Sequence, residues 1–488
     1  MGKEWISLLK QVDKTCLMDK QQAKGEIKAL QKELAALQQP IRAAGLPVIL
    51  LLDGWSAAGV GRVIGKLISQ LDPRGYQVYA DTEPEPAERR RPYLWRFWNK
   101  LPGKGQIAVL DRGWYRDVTG GAGVGASLLP SIETFERQLC DDGYLVLKFF
   151  LHISRETQKE RLEKLERQAA TAWRANRRDW EENDHYESLL GETDALLTAS
   201  STPWAPWHVV WNEDKHDGVL RVLRTVRDAM AAALEQGAPK AQPRSQPRRL
   251  LPMPLLRQVD LSPTLAEKDY EQAMEKERKK LRRIHSALYR ARIPVIIGFE
   301  GWDAAGKGGA IRRLSWALDP RGFDVIPIAA PTPEALARHY LWRFWRELPK
   351  DGHIAIFDRT WYGRVMVERI EGLTPPQRCD MAYEEINDFE AELVRWGAVV
   401  LKFWLHIDQD TQLARFQDRQ NTPEKQYKIT DEDWRNREKW PAYEKAVDEM
   451  LKKTSTKSAP WIIVEGNDKR YARLKVLRTV RHALEERL

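Results

Sequence analysis

Gly301, Gly306 and Lys307 occur in the order Gly-x4-Gly-Lys within GWDAAGKGG, residues 301–309. Glycines at that spacing let backbone N–H groups turn inward on an anion, a following helix adds the positive end of its dipole, and the lysine sets a point charge on a phosphate. Gly301, Ala304, Ala305, Gly306 and Gly308 are therefore the expected phosphate-binding residues, with Lys307 the catalytic cation. Position 308 is glycine where such loops ordinarily place Ser or Thr on magnesium. The metal must find oxygen elsewhere, and Asp303 in the loop and Asp358 at the end of HIAIFD are the available carboxylates. Mg2+ favours one or two carboxylates completed by phosphate oxygens and water. The alternative for Asp358 is a helix or turn cap.

Arg359 and Arg364 follow in RTWYGRVMVER. Phosphoryl transfer needs little covalent help and much charge neutralisation, so guanidinium forks beside the transferred group suit it; surface ion pairing is the alternative. Arg415, Arg419, Lys425 and Lys428 lie in RFQDRQNTPEKQYKITDEDW, which loses apolar periodicity. Such a segment reads as a mobile lid over an anionic substrate, or as solvated loop charge.

A loop of this kind needs a strand before it and a helix after it, and the chain writes that arrangement twice. LPVILLLDGWSAAGVGR returns as IPVIIGFEGWDAAGKGG, YLWRFWNKLP as YLWRFWRELP, IAVLDRGWY as IAIFDRTWY, and LVLKFFLHIS as VVLKFWLHID. A repeat of that length is a duplicated domain rather than a solenoid. The second copy alternates five short apolar runs (IPVIIGFE, FDVIPIA, HIAIFDR, VVLKFWLHI and WIIVEG) with segments of helical length. The fold class expected is α/β, each copy a parallel five-stranded sheet flanked by helices. The expected domains are 1–236 and 264–488, joined over 237–263 by a Pro- and Arg-rich stretch read as a solvated tether. Apolar stripes at Ile27, Leu30, Leu34, Leu37 and Ile41, and at Met274, Leu281, Ile284 and Leu288, are expected to dock on their own domains. Many of the 20 tryptophans recur in both copies, which fits a shared core better than a stacking surface.

The net charge of +9 suggests a polyanionic partner, which charge alone does not choose. Cys16, Cys140 and Cys379 fit neither a disulfide framework nor a metal site, the N-terminal stretch lacks the apolar core of a signal peptide, and the apolar runs are strand-length. A cytoplasmic protein is expected, with no membrane partner and no nucleic acid.

GWDAAGKGG, DPRGF, YLWRFWRELP, DRTWYGRVMVER and YKITDEDW together resemble the polyphosphate kinase 2 family, and the duplicated layout resembles its two-domain, AMP-phosphorylating class. The resemblance implies two tandem P-loop kinase-like domains with a helical lid. It also implies Mg2+-dependent transfer of a phosphoryl group from inorganic polyphosphate to AMP, giving ADP and reversible in principle, with GMP as a further acceptor and a homo-oligomer left open. Asp303, Lys307, Asp358, Arg359 and Arg364 match the family's catalytic positions, and Glu368 is a further motif match. In the first copy Ser56, Val60 and Asp117 stand in place of Asp303, Lys307 and Arg364, while Asp111 and Arg112 persist. That half is expected to be folded and catalytically inactive. An ATP-dependent nucleotide kinase and a non-catalytic polyphosphate- or RNA-binding protein are the alternative readings.

Overall fold

VILLLDG, apolar at almost every position, forms β1 (Val48–Gly54) and is buried throughout, as a strand covered on both faces must be. Beside it run β2 (Tyr76–Tyr79), β3 (Ile107–Asp111), β4 (Leu145–His152) and β5 (Trp207–Trp211), all pairs parallel, in the order β2-β3-β1-β4-β5. The second sheet repeats this plan with β6 (Val295–Gly301), β7 (Phe323–Pro327), β8 (Ile354–Asp358), β9 (Val399–His406) and β10 (Trp461–Glu465), ordered β7-β8-β6-β9-β10. In each sheet the loop-bearing strand is central, paired on one side with β3 or β8 and on the other with β4 or β9. The crevice beyond its carboxyl end is where a doubly wound sheet binds ligands.

The computed structural model describes residues 7–15, 18–80, 82–118, 125–241 and 248–488. The chain divides into two compact units that are not contiguous in sequence. Unit 1 comprises Met1–Glu83, Arg96–Pro243 and Pro333–His339, and unit 2 comprises Pro84–Trp95, Arg244–Thr332 and Tyr340–Leu488. Each carries one sheet.

In unit 1, α1 (Lys20–Ala44) buries Ile27, Leu30, Leu34 and Ile41 and packs on α4 (Lys215–Gln236). Two further helices, α2 (Val60–Ile68) and α3 (Arg155–Glu166), follow β1 and β4. In unit 2, α5 (Glu267–Ala291) packs in the same way on α11 (Lys469–Glu485) through Leu281, Ile284 and Leu288, with a buried Glu277–Arg481 ion pair at 2.5 Å. Both stripes therefore dock within their own unit. The remaining helices used below are α6 (Lys307–Trp316), α7 (Pro376–Arg395), α8 (Gln409–Asn421), α9 (Asp431–Glu438) and α10 (Trp440–Thr454).

The repeated tryptophans are mostly core: Trp55, Trp98, Trp114, Trp207, Trp302, Trp345, Trp361 and Trp461 are all buried. Cys140 and Cys379 are buried free thiols, whereas Cys16 lies outside the described residues. No helix among the described residues is long and apolar enough to cross a membrane.

The tether expectation is corrected over residues 248–258. Leu256 is buried, its N–H donates to Asp448 and its carbonyl accepts from His406, while Arg248 pairs with Asp388 at 2.6 Å. Leu256 gives this stretch an apolar side chain to bury, and Arg248 meets a buried carboxylate on α7. Residues 242–247 of the tether lie outside the described residues.

Behind the β8 turn sits an ion pair withdrawn from water. Lys402 on β9 donates to Glu390 of α7 at 2.8 Å, to the Tyr362 hydroxyl at 2.9 Å and to the Thr454 carbonyl at 2.8 Å. Trp361 and Tyr362 both donate to the other oxygen of Glu390. Unit 1 repeats the cluster with Lys148, Glu136, Tyr115, Trp114 and the Ser200 carbonyl. Removing one partner of a buried pair leaves an uncompensated charge, so Glu390→Ala should cost about 3–5 kcal/mol of stability, read by denaturant unfolding of the full chain.

Candidate active site

β6 ends at Gly301, whose φ of +151° would strain a side chain and whose missing Cβ would lie 2.5 Å from the Leu405 carbonyl. Gly306, at φ +113°, caps the N-terminus of α6, and Ala304 is held at φ +61°. These three positions roll the loop over the end of the sheet. Lys307, the first residue of α6, donates back to the Gly301 and Trp302 carbonyls at 2.6 and 3.2 Å, which stations its ammonium across the loop. Trp302 anchors the loop below, donating to His406 at 3.0 Å and stacking on Trp440 at 3.6 Å between centroids.

The sequence expectation for Arg415 is corrected. It is not solvated loop charge; it lies on α8, buried, and its guanidinium donates to the carbonyls of Ala304, Ala305, Gly466 and Asn467. It braces the loop from behind. Arg419 shares α8, and Lys425 lies on the 3-10 segment Pro423–Lys428, paired with Asp418 at 2.9 Å. The side chain of Lys428 lies outside the described residues.

Two cavities flank the loop. One, of about 260 Å³, has Ala304 to Gly306 as a wall and five cations around it, Arg415, Arg419, Lys425, Lys469 and Arg473, against the single carboxylate Asp418. The crowding is felt: burial first, then Arg419 and Arg473, pulls Arg415 down to about 10. Lys469 is likewise lowered by burial and by Arg415. Lys469 and Arg473 were missed by sequence reading because they lie 41 residues or more beyond Lys428, the last cation of the basic segment, on α11.

The other cavity, of about 90 Å³, is lined by Asp303, Lys307, Arg359, Glu432, Asn436 and Tyr443 among others. Asp303 accepts from Asn436 at 2.9 Å and faces Arg359 at 3.7 Å. Burial lowers Arg359, but Asp303, Glu300, Glu432 and Asp358 outweigh it and hold the guanidinium above its ordinary value. Asp303, Lys307 and Arg359 thus meet at one cavity, with Asp358 adjoining through β8. Arg364 does not line it; its guanidinium binds Glu368 at 2.7 Å and Thr374 at 2.6 Å, over the Tyr340 ring. Among the described residues no group of three or more His, Cys, Asp or Glu could hold a metal. A divalent ion here would rest on Asp303 and Asp358 with ligand oxygens, a donor set that suits Mg2+.

Sequence reading also missed Glu300. Buried at the end of β6, it accepts both the backbone N–H and the hydroxyl of Thr360 at 2.7 Å. Burial pushes its acid up, against the pull of Thr360 and Lys307. The latch ties the loop strand to the turn in which Arg359 takes φ +66°. Unit 1 lacks it: Asp53 is one carbon shorter and bonds only its neighbour Gly54, residue 113 is glycine, and the second carboxylate oxygen is buried without a hydrogen-bond partner. There Ser56 gives its N–H to Glu182 and its hydroxyl to Asp179, both at 2.7 Å, so carboxylates occupy the side of the loop where Asp303 stands in unit 2.

Two outcomes are expected. Glu300→Ala should lower kcat by roughly 10- to 100-fold with little change in Tm, whereas Glu300→Gln, which keeps the acceptor oxygen, should retain most of it. Burial lifts Asp53 to about 7 from 3.8, so the folded state holds a proton that the unfolded chain releases. Its contribution to stability is present below about pH 4 and lost as pH rises towards 7, and Asp53→Asn should flatten the pH dependence of thermal unfolding over that window.

The sequence profile of the polyphosphate kinase 2 family matches residues 17–238 and 264–488. A Pseudomonas aeruginosa protein named polyphosphate:AMP phosphotransferase is 44% identical over 453 residues, 91% of either chain, and one of the same name from Pseudomonas syringae pv. tomato is 41% identical over 90% of either. A Rhizobium meliloti protein named ADP-polyphosphate phosphotransferase 2 is 36% identical over 215 residues, covering 44% of this chain and 70% of its own. A crystal structure from Pseudomonas aeruginosa, described as a polyphosphate kinase 2, superposes with a TM-score of 0.86 at 39% identity over 98% of this chain and 99% of that one. With both copies matched and the fold shared over nearly its whole length, the chain belongs to the polyphosphate kinase 2 family.

Proposed function

We propose that unit 2 transfers a phosphoryl group from inorganic polyphosphate to AMP, giving ADP, and that unit 1 is catalytically inactive. The observation that carries the reading is the polarity of the two cavities across one loop. The five-cation cavity suits a donor that is nothing but phosphates. The smaller one, with Asp303, Lys307 and Arg359, suits an acceptor phosphate brought into line with it. The relatives named polyphosphate:AMP phosphotransferase, similar over about nine-tenths of their length, support this choice of donor and acceptor.

In this reading the loop amides from Gly301 to Gly308 and the Lys307 ammonium grip phosphate oxygens at the point of transfer. Arg359 offsets the charge that accumulates there, and Arg364 joins it by exchanging Glu368 for phosphate oxygens. Arg419 and Lys425 hold the donor chain and help exclude water. Asp303 and Asp358 would hold Mg2+, which when bound supplies charge neutralisation and a template for phosphate oxygens. The acceptor phosphate is already ionised, so no strong general base is needed.

The test is ADP formation from AMP and Mg2+ with polyphosphate or ATP as sole donor. Product from polyphosphate and little from ATP is expected; product from ATP alone would make this a conventional nucleotide kinase. In the full-length protein Lys307→Ala and Asp358→Asn should each remove nearly all turnover without unfolding, at least 100-fold by analogy with lost transition-state donors. Substantial residual activity in either variant would overturn this site assignment.

A further inference from the structure

The loop of unit 1 keeps the shape of its counterpart. Gly54, Ala57 and Gly59 take φ of +159°, +60° and +100°, beside +151°, +61° and +113° at Gly301, Ala304 and Gly306. Arg161 braces it as Arg415 does, donating to the carbonyls of Ala57, Ala58, Asn212 and Glu213. What differs between the units is the side chains around that common backbone.

At the positions equivalent to the donor-side cavity, three cations are gone: Arg419, Lys425 and Arg473 become Leu165, Thr171 and Val219. Two changes run the other way. Asp418 becomes Lys164, and Gly309 becomes Arg62. Arg161 and Lys215 match Arg415 and Lys469. The net charge over these seven positions is four positive in either unit: five cations less Asp418 in unit 2, four cations in unit 1.

The exchange at Arg62 is a physical compensation. A Cβ on Gly309 would lie 3.4 Å from the Arg473 guanidinium, so in unit 2 the helix after the loop stays bare where α11 sends in its arginine. In unit 1 the helix after the loop carries the arginine and the facing helix the smaller valine. A cation is thereby kept within electrostatic reach of Lys215. Arg62, Lys164 and Lys215 form no ion pair or side-chain hydrogen bond among the described residues, and Lys215 is depressed by burial and by Arg161, Lys164 and Arg62 together. Charge kept through so many substitutions, beside a loop that has lost its lysine and closed its other side with Glu182 and Asp179, fits binding without transfer.

We propose that unit 1 binds inorganic polyphosphate at Arg62, Lys164 and Lys215, with α2 and its loop as the floor, and does not transfer it. The choice of polyanion rests on the donor assigned to unit 2. None of the seven positions is aromatic, which favours a bare phosphate chain over nucleic acid, and exposed Trp173, two residues beyond Thr171, makes an RNA oligomer the necessary control.

The experiment is calorimetric titration of the full-length protein with short, length-defined polyphosphate, with AMP turnover measured in parallel. The variants are Arg62→Gln/Lys164→Gln/Lys215→Gln and, for unit 2, Arg419→Gln/Lys425→Gln/Arg473→Gln. Wild type should bind at two sites, either triple variant at one, and the unit 1 variant should keep its kcat. A single site in wild type, or an unchanged stoichiometry in the unit 1 variant, overturns the proposal. So does an RNA oligomer that binds wild type as tightly as polyphosphate and is lost in the unit 1 variant. Failure of the functional reading looks different: no ADP from polyphosphate, with the two binding sites still present.

Discussion

An ammonium and a carboxylate taken out of water at the back of the sheet govern where the chemistry can sit. Glu390 accepts from Lys402, Trp361 and Tyr362, so one side chain on α7 is bonded to a strand and to the turn that follows Asp358 and Arg359. A buried charge tolerates few arrangements of its partners, which makes the pair a constraint on geometry more than a source of net stability. The recurrence of the cluster in unit 1, where valine stands at the position of Lys307, shows that it belongs to the scaffold.

On that scaffold the loop divides two kinds of surroundings. One side gathers cations whose mutual repulsion an anion would relieve, and the other gathers carboxylates and amides around a single arginine. Loop shape and loop chemistry are set by different residues. The shape comes from glycine conformations and from an arginine on α3 or α8 that caps carbonyls, and the chemistry comes from side chains pointing away from that brace. Arg359 at φ +66° and Arg112 at φ +61° show the same separation, because a strained backbone persists in both units while only one has the Glu300–Thr360 latch.

The architecture was legible in the sequence because its signals are local and were written twice: apolar runs of strand length, a glycine spacing, and helices between them. Asp303, Lys307 and Arg359 were legible from their places in the glycine-spaced loop and at the end of an apolar strand, and they meet at one cavity. Arg415 was misread because a basic residue in a charged stretch looks solvated. Its burial depends on carbonyls more than 50 residues away at Gly466 and 100 at Ala304. Glu300 was overlooked because one acid at the end of an apolar strand carries no spacing signal, and its partner Thr360 comes from the turn after the neighbouring strand β8. Lys469 and Arg473 reach the loop only through the winding of the sheet. The docking of Leu256 was hidden by the prolines around it.

The arginine brace has an evolutionary consequence. Because it holds main-chain carbonyls, it does not respond to the side chains at positions 56 and 60, and the loop of unit 1 has lost its reactive groups without any change of conformation. Substitutions of this kind leave the loop backbone in place, so no refolding stands in the way of their reversal. A duplicated domain so preserved retains the stage on which a new phosphate chemistry could be selected, one side chain at a time.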